Sequence, residues 1–388
     1  MRKVFIILIV AFIAIACNGQ ATLDAQRKEA IESFKKQKHR FEIKGYNKVM
    51  KNDKFRWQAA VSVPSGYLAD VYTGTLISDN DVAVLDSPTP TGEWGKPTEA
   101  MGSAGYLPKR LRVTWVSYFE HKFYHIDTPI DYDKMVRLFN EGFYDLYDEF
   151  TKYPPIKSEY NKVVVGFAPG GVVVIWVAGI KKQVEIGRYQ AEEITFSKEY
   201  IAGLSPGPAK NMHNIEYHNN ILYNWGVQSQ ESIEKVKDKP IPYGIWDTYR
   251  KEYNWHINFD FPNDEKIIFV RYSFYNGEKD FLLGEVVTDK HPQIPDIFRW
   301  SDKVQKNHIP KDIYFHYMKE GNRYNCFIGF NEEEIFNAFE KVTGGDATAE
   351  IEMYIRVNQI NTHASVILKN KNKEVALFNN EIKINKWS

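Results

Sequence analysis

The string GLSPG at residues 203–207 matches the G-x-S-x-G pattern of a nucleophile elbow and makes Ser205 the first candidate for covalent chemistry. Its neighbour argues against that role. The elbow takes one oxyanion-hole donor from the amide of the residue after the serine, and Pro206 has no N–H to give. It also needs a buried strand before the serine and a helix behind it, whereas KEYIA precedes and PAKNMHN follows. HNIEYH offers His213, Glu216 and His218, types that bind zinc, with no helical pattern to converge them. His121 and His125 are four apart, but on a predicted hairpin they straddle its bend. Cys326 sits in the alternating RYNCFIGF and reads as a small buried apolar residue rather than a nucleophile. Residues 168–171 lie between two predicted strands, so no glycine-rich loop opens a helix to cradle phosphate. Glu192 and Glu193 alternate faces of an extended segment and have no reason to converge. No catalytic residue, metal ligand or cofactor is assigned, and the chain reads as a non-enzyme.

Recognition chemistry is better represented. The loop DSPTPTGEWGKPTEAMGSAGY places Glu93 beside Trp94 among small, adaptable residues, and WVSYFEHKFY clusters Trp115, Tyr118 and Glu120 near a hairpin end. Aromatic rings among such residues give contact area at low entropic cost. These five are the candidate binding residues. The alternative for Trp94 is a lid folded back over a sheet.

The elements that must hold these residues follow from length and pattern. A chain of 388 residues exceeds the roughly 250–300 that one core organises, so two domains are expected. Aromatic residues make up 15% of it, which favours strands. Fifty basic and fifty acidic residues cancel, which removes the positive field that drives nucleic-acid binding.

MRKVFIILIVAFIAIAC has a basic start, an uncharged apolar run from Val4 to Ala16 and then a cysteine. The run is too short for a spanning helix, which needs about 20 residues, but suits an export signal. Residues 14–17, AIAC, resemble a bacterial lipobox, so residues 1–17 are expected to be a lipoprotein signal peptide with Cys17 lipidated. With Asn18 next, the resemblance implies an outer-membrane anchor facing the periplasm. Cys17 and Cys326 are the two cysteines, so a lipidated Cys17 leaves no disulfide. Residues 18–54 carry ten Lys or Arg against five Asp or Glu. They form a basic tether, read as a solvated spacer ahead of a segment lying on anionic headgroups.

From Phe55 onward the pattern is written twice. LPKRLRVTW at 107–115 returns as IPKDIYFHY at 309–317. FRWQAAVSVP and YNWHINFDFP set Trp57 against Trp255, and Tyr124 and Phe139 find counterparts in Tyr324 and Phe339. DYDKMVRLFNEGF and NEEEIFNAFEKVTGG each switch to helical spacing, the second with a capping box from Asn331 and Glu334 and a stop at Gly344. Residues 163–180 are uncharged, but residues 169–171, PGG, break their centre, so they read as a hairpin buried on both faces rather than a membrane span. The expected fold is α+β, mostly antiparallel β, as two tandem related units at 55–198 and 251–388. Each would be a β-sheet packed with one helix. Residues 199–250 form an irregular connection between them.

RWQAAVSVPSGY, LPKRLRVTWVSYFEHKFY and VVVGFAPGGVVVIWVAGIKKQVEIGRYQA, over roughly residues 55–195, resemble an uncharacterised bacterial lipoprotein family, domain of unknown function 2931. The resemblance implies lipidation and an envelope location, and it supplies no catalytic residue. Three functional readings follow. The first is a non-catalytic envelope lipoprotein that binds a protein or cell-wall component. The second is an immunity lipoprotein that neutralises a periplasmic antibacterial toxin such as a secreted lipase. The third is an enzyme of unrecognised type.

Overall fold

The computed structural model describes residues 54–86, 92–146 and 154–387. The expected signal peptide, Cys17 and the expected tether up to residue 53 lie outside the described residues.

The first half runs β1 (Lys54–Ser62), β2 (Ala69–Ile77), β3 (Val82–Val84), β4 (Thr98–Tyr106), β5 (Arg110–Ser117), β6 (Lys122–Pro129) and helix α1 (Tyr132–Glu141). A short ribbon of β7 (Phe143–Asp145) and β8 (Ile156–Ser158) precedes β9 (Lys162–Ala168), β10 (Val172–Ala178), β11 (Gln183–Gln190) and β12 (Glu192–Ile194). The second half runs β13 (Glu252–Asp260), β14 (Lys266–Phe274), β15 (Lys279–Leu283), β16 (Gln305–His308), β17 (Pro310–Lys319), β18 (Asn322–Gly329), a helix Glu332–Thr343, β19 (Glu350–Val357), β20 (Ala364–Lys369), β21 (Glu374–Leu377) and β22 (Glu381–Trp387). The fold is α+β and mostly antiparallel.

Each half holds two five-stranded layers where the sequence predicted one sheet. The first has β4-β1-β9-β10-β11 and β12-β6-β5-β2-β3; the second has β16-β13-β19-β20-β21 and β22-β18-β17-β14-β15. The order is the same position by position, including one parallel pair in each half, β1 with β9 and β13 with β19. Pairing of β11 with β15 at Gln183 and Lys279 fuses one layer of each half into a ten-stranded sheet.

Equivalent residues of the halves make equivalent contacts. The Trp57 indole N–H donates to Tyr106 O at 3.3 Å, and that of Trp255 to His308 O at 3.1 Å. Trp115 stacks on Tyr124 at 5.4 Å, as Tyr317 does on Tyr324 at 5.5 Å. The carbonyls of Lys109 and Lys311, in the repeated phrase, each accept an amide at 3.0 Å from the residue that ends the following strand region, Ile130 and Phe330.

Helix packing follows the predicted spacing. Met135 and Phe139 are buried in α1, as are Ile335, Ala338 and Phe339 in the later helix. Asp131 and Asn331 cap these helices, accepting from the Lys134 and Glu334 amides at 3.0 Å each. The predicted capping box is only half made. The Glu334 carboxylate instead accepts the Phe378 and Asn379 amides at 2.8 and 2.9 Å and ties the helix to the turn before β22. Gly344 closes that helix in a left-handed conformation, φ 61°.

Residues 163–180 form the expected hairpin: β9 and β10 pair in antiparallel register, and every residue of β10 is buried. Val163, Val165, Phe167, Val173, Ile175 and Val177 enter the main core, while Val164, Val172, Val174 and Trp176 build a second core on the opposite face. Burying each such side chain stabilises by about 1.5–3 kcal/mol, which explains the near-continuous apolar run. No helix among the described residues is long and apolar enough to cross a membrane.

The segment expected as an irregular connection is largely helical. It carries α2 (Lys198–Gly203), α3 (Pro208–Asn211), α4 (Ile215–Asn219), a π turn (Asn220–Asn224), α5 (Gln230–Val236) and α6 (Ile245–Thr248). Each is only one or two turns long, too short to show a 3.6-residue period, and three begin on side-chain caps from Ser197, Asn214 and Ser229. Phe196, Tyr200 and His213 pack on Tyr72 and Phe123, so the segment covers the outer face of the first half's β2-β5-β6 layer.

Candidate functional site

The two halves meet around the first loop. Gly95 has φ 84° and Gly277 φ 90°, and their backbones touch, since a Cβ on Gly95 would stand 2.5 Å from Gly277 Cα. The Gln183 amide donates to both carbonyls at 2.7 Å. The Gly95 amide donates to the Ser62 hydroxyl at 2.9 Å, which in turn donates to Glu93 O at 3.4 Å. This lattice fixes Trp94, whose ring stands edge-on to Trp176 at 5.0 Å. Gly166 lies beneath the pair, and a Cβ there would come within 2.9 Å of both rings.

Trp94 therefore takes the place expected of a lid. It closes the second core, and it also lines a cleft of about 520 Å³ at the junction of the halves. Small-molecule sites occupy about 300–1,000 Å³. Trp246, Phe274 and Tyr275 are buried in its lining, while Tyr67, Trp94 and Tyr249 are half-buried there. Tyr67 meets Trp246 edge-on at 5.7 Å, and Tyr249 lies 5.5 Å from Tyr275.

Polar groups ring the aromatics. Lys311, the lysine of the second copy of the Pro-Lys phrase, donates to Glu93 at 2.6 Å and so bridges the halves. Burial works against the Glu93 charge, but Lys311 outweighs it and holds the carboxyl below its usual range. The Tyr249 hydroxyl donates to Glu332 at 2.6 Å, and burial with this carboxylate beside it pushes the phenol pKa well up. Lys235 pairs with Glu231 at 2.9 Å. Lys96 is exposed and forms no ion pair among the described residues.

The other expected binding residues have different places. Trp115 is fully buried, stacked on Phe167 at 4.8 Å, and Tyr118 is fully buried with its hydroxyl donating to Asp70 at 2.7 Å. Both line the interior, covered on one side by the core and on the other by the helical segment, so neither offers the binding surface expected of it near the hairpin end. Glu120 is an internal staple: it accepts the Tyr124 and Tyr243 hydroxyls at 2.9 Å each and the Gly170 amide at 3.1 Å.

The catalytic lookalikes are dispersed. Ser205 is exposed between α2 and α3. Cys326 is buried, and burial pushes its thiol up to about 12. His218 does converge with a histidine, but with His121: their Nδ1 atoms lie 2.9 Å apart, while His218 Nε2 lies 2.7 Å from Met212 O. Glu216 is exposed, and His213 stacks on Phe123 at 4.6 Å. Among the described residues no group of three or more His, Cys, Asp or Glu could hold a metal. His125 pairs with the Thr114 hydroxyl at 2.8 Å, and Glu193 with Lys122 at 2.7 Å.

Of the residues lining the cleft, sequence reasoning named Glu93 and Trp94 but not Tyr67, Trp246, Tyr249 and Lys311. Tyr67 follows a turn, Trp246 and Tyr249 lie on one short helix and its end, and Lys311 comes from the other half. The one available signal was the repeated Pro-Lys phrase, whose first copy, Lys109, pairs locally with Asp79.

No curated protein and no solved structure matches the chain. The matching family model extends beyond β12 and over α2 to α5, ending at residue 244 just before α6, so the cover over the first half is part of the family unit. That model, Protein of unknown function (DUF2931), matches residues 35–244, more than half of the 388 residues, and the chain belongs to this family.

Proposed function

We propose that the protein is a cell-envelope lipoprotein, anchored through Cys17, that acts as a non-catalytic binding module, and that the cleft beside Trp94 is its ligand site. The observation that carries this reading is the convergence of Glu93, Trp94, Tyr67, Tyr249 and Lys311 from three distant parts of the chain on one concave surface. A surface built from both halves and held by a glycine-to-glycine contact is preorganised, and preorganisation lowers the cost of binding. The shared strand order of the halves supports a doubled unit whose junction became the site.

The test is capture from solubilised envelope and secreted material by the full chain, with Trp94→Ala as the matched control. An envelope component retained by the natural chain and lost with the variant supports the reading. Retention that is indifferent to Trp94 moves the site away from the cleft, and a toxic hydrolase as the captured species puts the immunity reading first. Membrane fractionation of Cys17→Ser tests the anchor, which requires that variant to leave the membrane pellet.

A further inference from the structure

We propose that the cleft takes a neutral saccharide, with sugar ring faces packed on its half-buried aromatic rings. The inference rests on the cleft being the binding site and adds the chemistry of its occupant.

Three observations favour a sugar. The first is ring character: Tyr67, Trp94 and Tyr249 are half-buried and line the cleft, with their rings braced by Trp246, Trp176 and Tyr275 respectively. The axial C–H groups of a pyranose form an apolar patch that packs on such a face. The aromatic quadrupole, negative on its face, favours those slightly positive C–H groups.

The second is charge balance. The described lining has three cations, Lys96, Lys235 and Lys311, and three anions, Glu93, Glu231 and Glu332. Two opposite pairs are already closed on one another, Glu93 with Lys311 and Glu231 with Lys235. An ionic ligand needs an excess of opposite charge, and this rim has none. What it offers is mixed donors and acceptors: the Lys96 ammonium, and carboxylates whose second oxygens have lone pairs to spare. Vicinal hydroxyls, each both donor and acceptor, match that mixture.

The third is shape. A concave site of about 520 Å³ suits a short oligosaccharide and does not suit the flat surface of a standard protein interface, roughly 800 Å² per partner.

The experiment is a titration of the full chain, followed by tryptophan fluorescence and calorimetry. The probes are neutral tetrasaccharides (N-acetylglucosamine, maltose-type and cellulose-type), a uronate tetramer and a cationic glucosamine tetramer. At least one neutral tetramer should bind, with affinity falling about tenfold or more, about 1.4 kcal/mol, for Trp94→Ala. Because Trp94 also supports the core, Lys96→Ala serves as a second variant at an exposed position: it should weaken the same sugar without lowering the melting temperature. The inference is overturned if no neutral tetramer binds more tightly than about 10 mM, if only a charged tetramer binds, or if both variants bind unchanged. Failure here with Trp94-dependent capture of another envelope component sinks the saccharide alone. Failure of both sinks the binding site as well.

Discussion

Gly95 and Gly277 join the two halves backbone to backbone, both in the left-handed region, with Gln183 donating to the two carbonyls at once. A methyl at Gly95 faces two penalties. Its φ of 84° costs an L-residue about 1–2 kcal/mol, and the contact with Gly277 adds an overpacking cost of about 1–3 kcal/mol. Gly95→Ala should therefore destabilise the chain by about 2–5 kcal/mol in urea unfolding. Gly105→Ala is the control, because nothing lies within 4 Å of a Cβ there. Equal effects of the two substitutions would remove the junction from the account of stability.

Beside that junction Glu278, half-buried, lies 3.1 Å from His308 Nε2 and accepts the Glu185 amide at 2.7 Å. Burial opposes both charges, yet each partner outweighs it: the Glu278 pKa is lowered and the His308 pKa raised. The Glu278 contribution is complete above its unfolded pKa, about 4.3, and is lost as pH falls through the lower folded value. The His308 contribution is complete below about 6.5 and is lost as pH rises through the higher folded value. Melting curves of His308→Gln against the natural chain should differ more at about pH 5.5 than at about pH 9. A difference independent of pH would mean the pair is not ionised in the folded protein.

His218 has the opposite sign. Its Nε2 faces the Met212 carbonyl, which can only accept, so the neutral ring carries its proton there and Nδ1 accepts from His121. Burial lowers its pKa, and His121 and His213 nearby add to that; Tyr118 packs against the ring at 5.0 Å. Stability from the neutral ring is complete above about pH 6.5 and lost as pH falls through the depressed folded value. His218→Gln should lower stability at neutral pH and flatten the decline between about pH 6.5 and 5. If the variant declines as steeply as the natural chain, another group carries that acid sensitivity.

Much of this architecture was legible because it is local or repeated. Alternation in β5 and β17, the Pro-Gly-Gly break between β9 and β10, and the heptad-like spacing of Met135 and Phe139 each record burial within a few residues. The second layer in each half was not legible, since strand partners such as β1 and β9 lie far apart in sequence and the pairing is set by backbone bonds that carry no residue code. The burial of Tyr118 is illegible for the same reason: what covers it is Tyr217 and His218, from a segment whose helices are too short to announce themselves. Trp94 could be named as a candidate because a tryptophan in a loop of small residues is locally anomalous, whereas Tyr249 lines the cleft only once the halves are docked.

Glu120 links the hairpin end of the first half to the cleft. Its carboxylate accepts the Tyr243 hydroxyl, and Tyr243 directly precedes Gly244, the residue that caps α6 and so sets the position of Trp246 and Tyr249. Hydrogen bonds to a charged group contribute about 1.5–3 kcal/mol each when sheltered and less when solvated, and this one is partly exposed. Glu120→Ala should cost about 1–3 kcal/mol of stability, with Tyr243→Phe costing less because Gly170 and Tyr124 keep their acceptor. The two substitutions should be non-additive in a double-mutant cycle. Cleft affinity discriminates further: if Glu120 positions the wall through Tyr243, both variants should weaken cleft binding while leaving the Gly95–Gly277 junction protected from hydrogen exchange. Loss of stability with unchanged cleft affinity would confine Glu120 to bracing the turn at Gly170.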